Sequence, residues 1–579
     1  MTILGIKLTH DAAIALIENG RLIFSYEMEK LNNSPRYSPF NITIDQVESI
    51  LSEYGHSLKA IDKIVIDGWS IWELDNFSKS TNIEASIIKF NFLGKEVDIT
   101  TKKVADYGHY VTSEENIMEP CHFSFYDQGL VYSSYLHVAG HVAAAYCTSP
   151  FAKKGEDAMV LVWDGGMPPQ LFYFSYNENA VRNLGSLFPL LGNIYTNFSH
   201  AFKPFSEMPN SLSIAGKAMA YMALGKVNAQ ILQQYHKIFS DLTQGFDETE
   251  LSKEIINTVT NQFITAAKQF SRENKFPDTD MLTTFQEFLQ ELLLEHLSAQ
   301  WKRQPELTSN LCLVGGCALN IKWNNSIRNS PLIKHVWVPP FPNDAGNALG
   351  AACCEMLRSE GIRSLEWDVY SGPGLNESGL TDDATEGRND FVCCDCRIEE
   401  LAEILHKYNE PVVFLNGRAE LGPRALGNRS ILSPAHSSGM KKRLNEIKGR
   451  EQYRPVAPIC LEEYAPEVFS PGSPDPFMLF EHFVRKSWKE KVPAICHLDG
   501  SARLQTINNN ENPVIYRLLR KYFEKSGIPL LCNTSANLNG SGFFPDVRSA
   551  MEWNKANLIW SDNKLYVKST FVHFTDILQ

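Results

Sequence analysis

Leu4-Gly-Ile-Lys-Leu-Thr-His10-Asp-Ala-Ala-Ile-Ala-Leu-Ile-Glu-Asn19-Gly20-Arg-Leu-Ile-Phe-Ser-Tyr-Glu27 divides into three apolar runs separated by two turns. Short Ile- and Leu-rich runs bounded by turn residues read as strand, turn, strand, turn, strand. Asn19-Gly20 is the stronger turn signal, because a two-residue hairpin loop of the favoured twist needs positive φ at both positions. The other turn carries His10.

Two more glycine-bearing turns follow at strand ends further along. Ala158-Met-Val-Leu-Val-Trp-Asp164-Gly-Gly reads as a buried strand closing in a tight turn. Asn310-Leu-Cys-Leu-Val-Gly315-Gly316-Cys-Ala-Leu-Asn320 reads as a strand, a turn and a helix start. Such turns let backbone N–H groups approach phosphate or ribose closely, although each alone is more often a tight connection. In this order, with a hairpin first, they suggest an α/β protein whose N-terminal part has the actin-like (sugar-kinase/Hsp70-like) nucleotide fold. Residues 131–147 read as one helix, 281–301 as an amphipathic helix of the core, and 345–358 as an Ala-rich helix. A polar Gly- and Asp-rich tract from Tyr370 to Asn389 ends this part. Beyond it come the strand Val412-Val-Phe-Leu, basic loops, Ala494-Ile-Cys-His-Leu-Asp and the strand Pro529-Leu-Leu-Cys-Asn. The expected division is 1–370, a linker over 371–389, and a smaller α/β domain over 390–579.

In Ser133-Ser-Tyr-Leu-His137-Val-Ala-Gly-His141 two histidines stand four apart, so on a helix both imidazoles share one face. Asp164, at a strand end, and Asp344, in Pro342-Asn-Asp-Ala-Gly, are carboxylates in compatible settings. Mixed imidazole and carboxylate donors suit a first-row divalent ion, iron, manganese or zinc, better than calcium or magnesium. The competing reading of a bare His-x3-His is two satisfied histidines on a surface helix.

The bulk numbers set the class. A chain of 579 residues with 44% hydrophobic and 21% charged content is that of a soluble multidomain protein. No stretch approaches the roughly 18 to 20 apolar residues of a membrane span, and the N-terminus lacks a signal-peptide pattern. Twelve scattered cysteines, several adjacent (Cys353-Cys354, Cys393-Cys394), suggest reduced thiols and a cytoplasmic setting. Cys393, Cys394 and Cys396 have no matching second pair, so they read as core or linker edge rather than as a metal site. The net charge of -13 argues against a general nucleic-acid surface.

Against that acidic background, residues 411–460 carry nine Lys/Arg and three Glu. Gly417-Arg418-Ala-Glu-Leu-Gly-Pro-Arg424-Ala-Leu-Gly-Asn-Arg429-Ser-Ile-Leu432 sets three arginines among turn residues. Lys448-Gly-Arg450-Glu-Gln-Tyr-Arg454 adds three cations. His497-Leu-Asp-Gly-Ser-Ala-Arg503-Leu-Gln-Thr506 and Asn533-Thr-Ser535-Ala-Asn537 add hydrogen-bond donors. Arginine's planar fork suits bidentate grip on phosphate or carboxylate oxygens, so arginines converging on one point indicate a polyanionic ligand. A solvated basic face fits poorly, because these arginines alternate with Gly, Pro and apolar residues.

These segments closely resemble the O-carbamoyltransferases of antibiotic and nodulation-factor biosynthesis, whose members include the tobramycin and cephem carbamoyltransferases. The resemblance covers essentially the whole chain and is most specific in Gly417–Leu432 and in His497–Thr506. Ala536 stands where family members commonly have an aromatic residue. The resemblance implies an N-terminal domain like the metalloprotein that transfers threonylcarbamoyl to tRNA, and a C-terminal domain like threonylcarbamoyl-adenylate synthase. It implies a two-step reaction: carbamoyl phosphate and ATP, used with Mg, give carbamoyl-adenylate in the C-terminal domain. An acceptor hydroxyl of a small metabolite then attacks the carbamoyl carbon in the N-terminal domain. By the same resemblance His137, His141, Asp164 and Asp344 are ligands, in the first instance of Fe(II), and His10 is the candidate general base. The other reading of His10 is a turn histidine bonded to its own loop. Lys217, Gly315, Gly316 and Asn320 match nucleotide-contacting segments. Arg418, Arg424, Lys448, Arg454, His497, Arg503, Asn533 and Ser535 match the carbamoyl phosphate and ATP site. The resemblance also hints at a homodimer. The alternatives are a kinase of the actin-like fold, which leaves the arginine-rich half unexplained, and carbamoyl modification of a nucleotide or nucleic acid.

Overall fold

The computed structural model describes residues 1–35, 37–70, 87–92, 95–100, 102–103, 117–124, 131–209, 211–245, 251–304, 306–376, 390–538 and 540–578. The opening meander forms β1 (Thr2–Lys7), β2 (Ala13–Glu18) and β3 (Arg21–Glu27), paired antiparallel. Its Asn19-Gly20 loop has φ of 48° and 77°, the doubly positive geometry that a tight hairpin demands. β4 (Lys63–Asp67), β5 (Cys121–Ser124) and β6 (Val131–Tyr135) complete a sheet of order β3-β2-β1-β4-β6-β5. β1, β4 and β6 run parallel.

A second sheet repeats this plan. β7 (Ala158–Val162), β8 (Gln170–Ser175), β9 (Ala180–Ser186), β10 (Asn310–Val314) and β11 (His335–Trp337) take the order β9-β8-β7-β10-β11. Again the first three strands form an antiparallel meander, and the first, fourth and fifth run parallel. The fully buried strands β7 and β10 are the near-continuous apolar runs expected of a parallel centre.

The stretch 131–147 is not one helix. Val131–Tyr135 is a strand of β-favouring residues, and α1 (His137–Cys147) begins directly after it. Nor is α1 on the surface, since every one of its residues is buried. α2 (Asp278–Arg303) covers the expected core helix, and α3 (Asn347–Glu360) the Ala-rich one. α1 packs on β7 and β10 of the second sheet, whereas α3 packs on β1, β2 and β4 of the first. The two helices press against each other between the sheets, and a Cβ on Gly350 would lie 2.1 Å from the Gly140 carbonyl oxygen. Small residues here therefore set how closely the two halves approach.

A third, mixed sheet is built from β12 (Phe391–Asp395), β13 (Val412–Leu415), β14 (Arg429–Ser433), β15 (Ala457–Leu461), β16 (Gln505–Ile507), β17 (Leu530–Ser535), β18 (Leu558–Ser561) and β19 (Lys564–Lys568). Its order is β12-β19-β18-β13-β14-β17-β15-β16. Of the expected linker, 377–389 lies outside the described residues. Its first residues are packed: Gly372 N–H donates to the Ala419 carbonyl (2.9 Å) and Ala419 N–H to that of Pro373 (2.8 Å). Ala494-Ile-Cys-His-Leu-Asp forms a short 3-10 turn and loop. The cysteines whose side chains are described are free thiols, and no helix of the described residues is long and apolar enough to cross a membrane.

Candidate metal centre and anion-binding loops

His137, His141, Asp164 and Asp344 converge from three places: the first two turns of α1, the turn after β7, and the turn before α3. All four are buried, and one donor atom from each lies within 4.8 Å of the others. The His137 and His141 Nε2 atoms are 3.2 Å apart, and stand 3.4 Å and 3.5 Å from Asp344 Oδ1. Metal–ligand bonds of about 2.1 Å at tetrahedral or octahedral angles separate neighbouring donors by roughly 3.0–3.4 Å. His137, His141 and Asp344 stand close to these spacings, with Asp164 within 4.8 Å, and a donor set of two imidazoles and two carboxylates suits a first-row divalent ion. Gly316 N–H donates to Asp164 Oδ1 (2.7 Å) and fixes that carboxylate. A Cβ on Gly315 (φ 90°) would meet the Trp163 carbonyl oxygen at 2.4 Å, so the close approach of these two strand ends requires glycine.

Residues the motif reading missed hold the ligands in place. His137 Nδ1 bonds to Asp67 Oδ2 (2.9 Å), which leaves Nε2 as the atom facing the centre. Asn347 Nδ2 donates to Asp67 Oδ1 (3.3 Å) and to the His137 carbonyl (3.2 Å). Lys7, with no exposed surface, lies 3.3 Å from Asp67 Oδ2 and 3.1 Å from Asp344 Oδ2, and donates to Thr9 Oγ1 (2.9 Å). Burial alone would raise the Asp344 carboxyl, but Lys7 and His137 outweigh it and hold Asp344 well below the usual carboxylate range. Burial likewise opposes a charged His137, yet Asp67 and Asp344 carry its pKa up to about 9. A signal existed for Asp67: Ile64-Val-Ile-Asp67-Gly68 ends its strand as Leu161-Val-Trp-Asp164-Gly165 does.

His10 stands at the rim, partly exposed, with Nδ1 3.1 Å from Asp11 Oδ2 and Nε2 3.6 Å from Asp344 Oδ2. Burial would lower its pKa, but the Asp11 bond and the Asp344 charge raise it. Both readings of His10 therefore have a counterpart: it bonds within its own loop and also faces the cluster. Asn320 caps the helix Ile321–Arg328 and exchanges hydrogen bonds with Gln286 (3.0 and 3.3 Å). Lys217, on the helix Ser213–Tyr221, pairs with Glu451 across the two domains (3.4 Å).

In the C-terminal domain the arginine-rich run is in part a structural device. Arg418 Nε donates to the Gly372 carbonyl (2.9 Å), and its Nη2 to those of Ile23 (3.0 Å) and Ser371 (2.6 Å). Arg429, buried, donates to the carbonyls of Asn416, Asn428, Gly417 and Pro373. A Gly- and Pro-rich loop has carbonyls that no ladder satisfies, and arginine donors supply the partners. Arg418 and Arg429 thus spend donors on main-chain carbonyls. Arg424 stays in the half-buried loop between Gly422 and Gly427. Gln505 Nε2 pins that loop at the Leu426 carbonyl (2.8 Å) and Asn533 Nδ2 pins it at that of Ala425 (3.0 Å). Lys448 Nζ reaches the Ser535 carbonyl (2.7 Å) and Asn537, while Arg454 and Arg503 are half-buried. His497 Nδ1 is 3.2 Å from Asp499 Oδ1.

Residues 2–353 match the family model described as Carbamoyltransferase N-terminus, and residues 402–568 the one described as Carbamoyltransferase C-terminus. Nodulation protein U of Rhizobium tropici is 44% identical over 578 residues, covering 98% of this chain and 96% of that protein. The 3'-hydroxymethylcephem-O-carbamoyltransferase of Streptomyces clavuligerus is 29% identical over 568 residues, covering 96% and 97%. Among solved structures, the activator of the 2-hydroxyisocaproyl-CoA dehydratase from Clostridium difficile aligns with 64% of this chain and all of its own at 11% identity. Its TM-score is 0.30, a superposition too loose to carry weight. With both halves matched and full-length relatives above 40% identity, the chain belongs to the carbamoyltransferase family.

Proposed function

We propose that this chain is an ATP-dependent O-carbamoyltransferase that works in two steps. Carbamoyl phosphate, water and ATP-Mg give carbamoyl-adenylate, phosphate and pyrophosphate in the C-terminal domain, and an acceptor hydroxyl of a small metabolite takes the carbamoyl group in the N-terminal domain, with AMP leaving. Carbamate resonance makes a poor electrophile, and an adenylate leaving group corrects that. Arg424, Lys448, Arg454, His497, Arg503, Asn533 and Ser535 hold the carbamoyl phosphate and ATP, with Arg418 acting as a strut of the same loop. The repeated sheet plan of the N-terminal part supports the actin-like reading, with Gly315 and Gly316 facing the nucleotide moiety. The C-terminal mixed sheet is proposed as the adenylate-forming, threonylcarbamoyl-adenylate-synthase-like domain.

The observation that carries the reading is the buried His137, His141, Asp164 and Asp344 cluster with His10 at its rim. These four would hold a first-row divalent ion, Fe(II) in the first instance, which supplies Lewis-acid charge toward phosphate or carbamoyl oxygen. His10 Nε2 takes the acceptor proton as general base, and the Asp11 bond and Asp344 charge that raise its pKa make it a stronger proton acceptor. Nothing in this reading selects the acceptor.

Product analysis with ATP, carbamoyl phosphate, magnesium and anaerobic Fe(II), without acceptor, tests it. AMP and pyrophosphate that depend on carbamoyl phosphate are expected. ADP, or turnover indifferent to carbamoyl phosphate, would favour a kinase of the same fold and sink the proposal. His10→Ala is expected to retain AMP formation and to lose carbamoyl transfer.

A further inference from the structure

The His497-Leu-Asp-Gly-Ser501 turn is braced from the other domain. Gly500 (φ 81°) closes it, with His497 N–H donating to the Ser501 carbonyl (2.9 Å). Asp499 Oδ1 accepts from Ser501 N–H (2.9 Å) and Ser501 Oγ–H (2.5 Å) and faces His497 Nδ1 at 3.2 Å. Its other oxygen, Oδ2, accepts from Lys322 Nζ (3.1 Å), which reaches over from the helix Ile321–Arg328 and also contacts Glu481 (2.5 Å). His497 is 8% exposed, and its Nε2 is buried without a hydrogen-bond partner among the described residues.

A buried polar atom with no partner costs about 1–3 kcal/mol, so an unpartnered imidazole nitrogen beside a basic site points to a ligand atom that completes it. An ionised Asp499 accepts from Nδ1–H and thereby fixes which nitrogen faces the ligand. Burial would raise the Asp499 carboxyl, but the His497 and Ser501 bonds and the Lys322 charge hold it well below the usual range. Two further cations near the turn are Lys441, whose Nζ donates to the Cys496 carbonyl (3.2 Å), and Lys489, whose Nζ flanks Gly500. Neither touches Asp499 as Lys322 does.

We propose that Lys322 is a positioning residue for carbamoyl phosphate activation: through Asp499 it holds His497 with Nε2, the acceptor nitrogen of the Nδ1–H tautomer, turned to an N–H of the carbamoyl group of the bound substrate. The N-terminal domain thus completes the C-terminal site. This rests on the placement of carbamoyl phosphate near His497 proposed above.

The test compares Lys322→Met, Lys322→Arg, His497→Gln and the Lys322→Met/His497→Gln double variant of the full chain. AMP formation is followed against carbamoyl phosphate concentration. Lys322→Met is expected to lower kcat/KM by about tenfold or more, the usual scale for loss of an orienting partner, and Lys322→Arg to restore most of it. In the His497→Gln background, removing Lys322 should add nothing, because residues acting through one another are not additive. An unchanged kcat/KM for Lys322→Met, or a full additional loss in the double variant, overturns the proposal and leaves Lys322 a plain inter-domain staple. ¹⁵N-histidine NMR of the unliganded protein reads the His497 tautomer, assigned by its absence in His497→Gln. One Nδ1–H tautomer in the wild type that becomes mixed in Lys322→Met is expected, and the same tautomer in both refutes the positioning role. If the wild type forms no AMP, the functional reading falls, and the NMR comparison still decides whether Lys322 sets the imidazole.

Discussion

Lys7 is an ammonium group sealed between Asp67 and Asp344, a charge that belongs to the candidate metal centre without being one of its four donor residues. Removing one partner from a buried ionic cluster costs about 3–5 kcal/mol, because the remaining charge has no solvent to turn to. Lys7→Met keeps the length of the side chain and deletes the charge, leaving two carboxylates facing each other. The metal-free variant should therefore melt several degrees below the wild type, and a divalent ion should raise its melting temperature more than it raises that of the wild type. A thermal scan with and without chelator checks both; equal melting temperatures without metal would show that Lys7 does not balance the carboxylates. In sequence Lys7 is a lysine inside an apolar strand run, an oddity with no visible partner. The histidine pair was legible because its spacing is local. Asp67, Lys7 and Asp344 are brought together only by the parallel pairing of β1 with β4 and by the return of the chain at α3.

At the scale of elements, the crossing of α1 and α3 sets the centre. A methyl on Gly350 would have to displace α1 backbone, since the Gly140 carbonyl oxygen lies 2.1 Å from its ideal position. Overpacking of this kind costs about 1–3 kcal/mol, occasionally more, and here it would also move His141, the neighbour of Gly140. Gly350→Ala should lower both the melting temperature and the metal affinity. Gly216→Ala, at an exposed position of the helix Ser213–Tyr221 with nothing within 4 Å, should be neutral or slightly stabilising. Equal behaviour of the two variants would show that the helices have room to part. A second element-scale prediction concerns the turn that leads into the helix Pro513–Ser526. Burial pushes the Glu511 carboxyl up from 4.5 to about 7, and Glu462 adds to the rise. Between those values the folded chain keeps a proton that the unfolded chain has lost, so stability falls as pH rises from about 4.5 to 7 and stays lower above. Glu511→Gln should raise the melting temperature at pH 8 and leave it unchanged at pH 4; a gain of equal size at both would assign the effect to packing. The boundary at residue 136 shows where periodicity misleads. Val131, Tyr132 and Tyr135 favour a strand while Ser133 and Ser134 do not, and pairing with β4 adds the tertiary contact that separates this strand from the helix after it.

At the scale of the whole molecule, the hairpin signal anticipated the first sheet and the turns at Asp164 and Gly315 two strands of the second, but the shared strand order of the two sheets was not visible, because pairing across sheets leaves no local mark in the sequence. The basic run was legible as a concentration of cations, but spacing cannot tell a phosphate from a main-chain carbonyl as the acceptor of an arginine. Arg418 and Arg429 are turned inward on that account. One consequence is a tight seam between the domains. Lys30, 3% exposed, bonds Glu27 (2.8 Å) and donates to the Glu420 and Gly422 carbonyls (2.6 Å each), while Gly422 N–H returns to Glu27 (2.7 Å). Arg418 to Ile23 and Gly542 N–H to the Ser34 carbonyl (2.8 Å) continue the same seam. A seam of buried, fully bonded charges couples the unfolding of the parts it joins, since opening it strands every member. The wild type should therefore melt in a single calorimetric transition despite its two domains. Lys30→Met leaves Glu27 charged and buried and two carbonyls without a donor, a loss of about 3–5 kcal/mol confined to the seam. In that variant the heat-capacity curve should split into two transitions, the lower one belonging to the domain less able to stand alone. A wild type that already melts in two steps, or a variant that keeps one unshifted transition, would show that the seam joins the domains without coupling them.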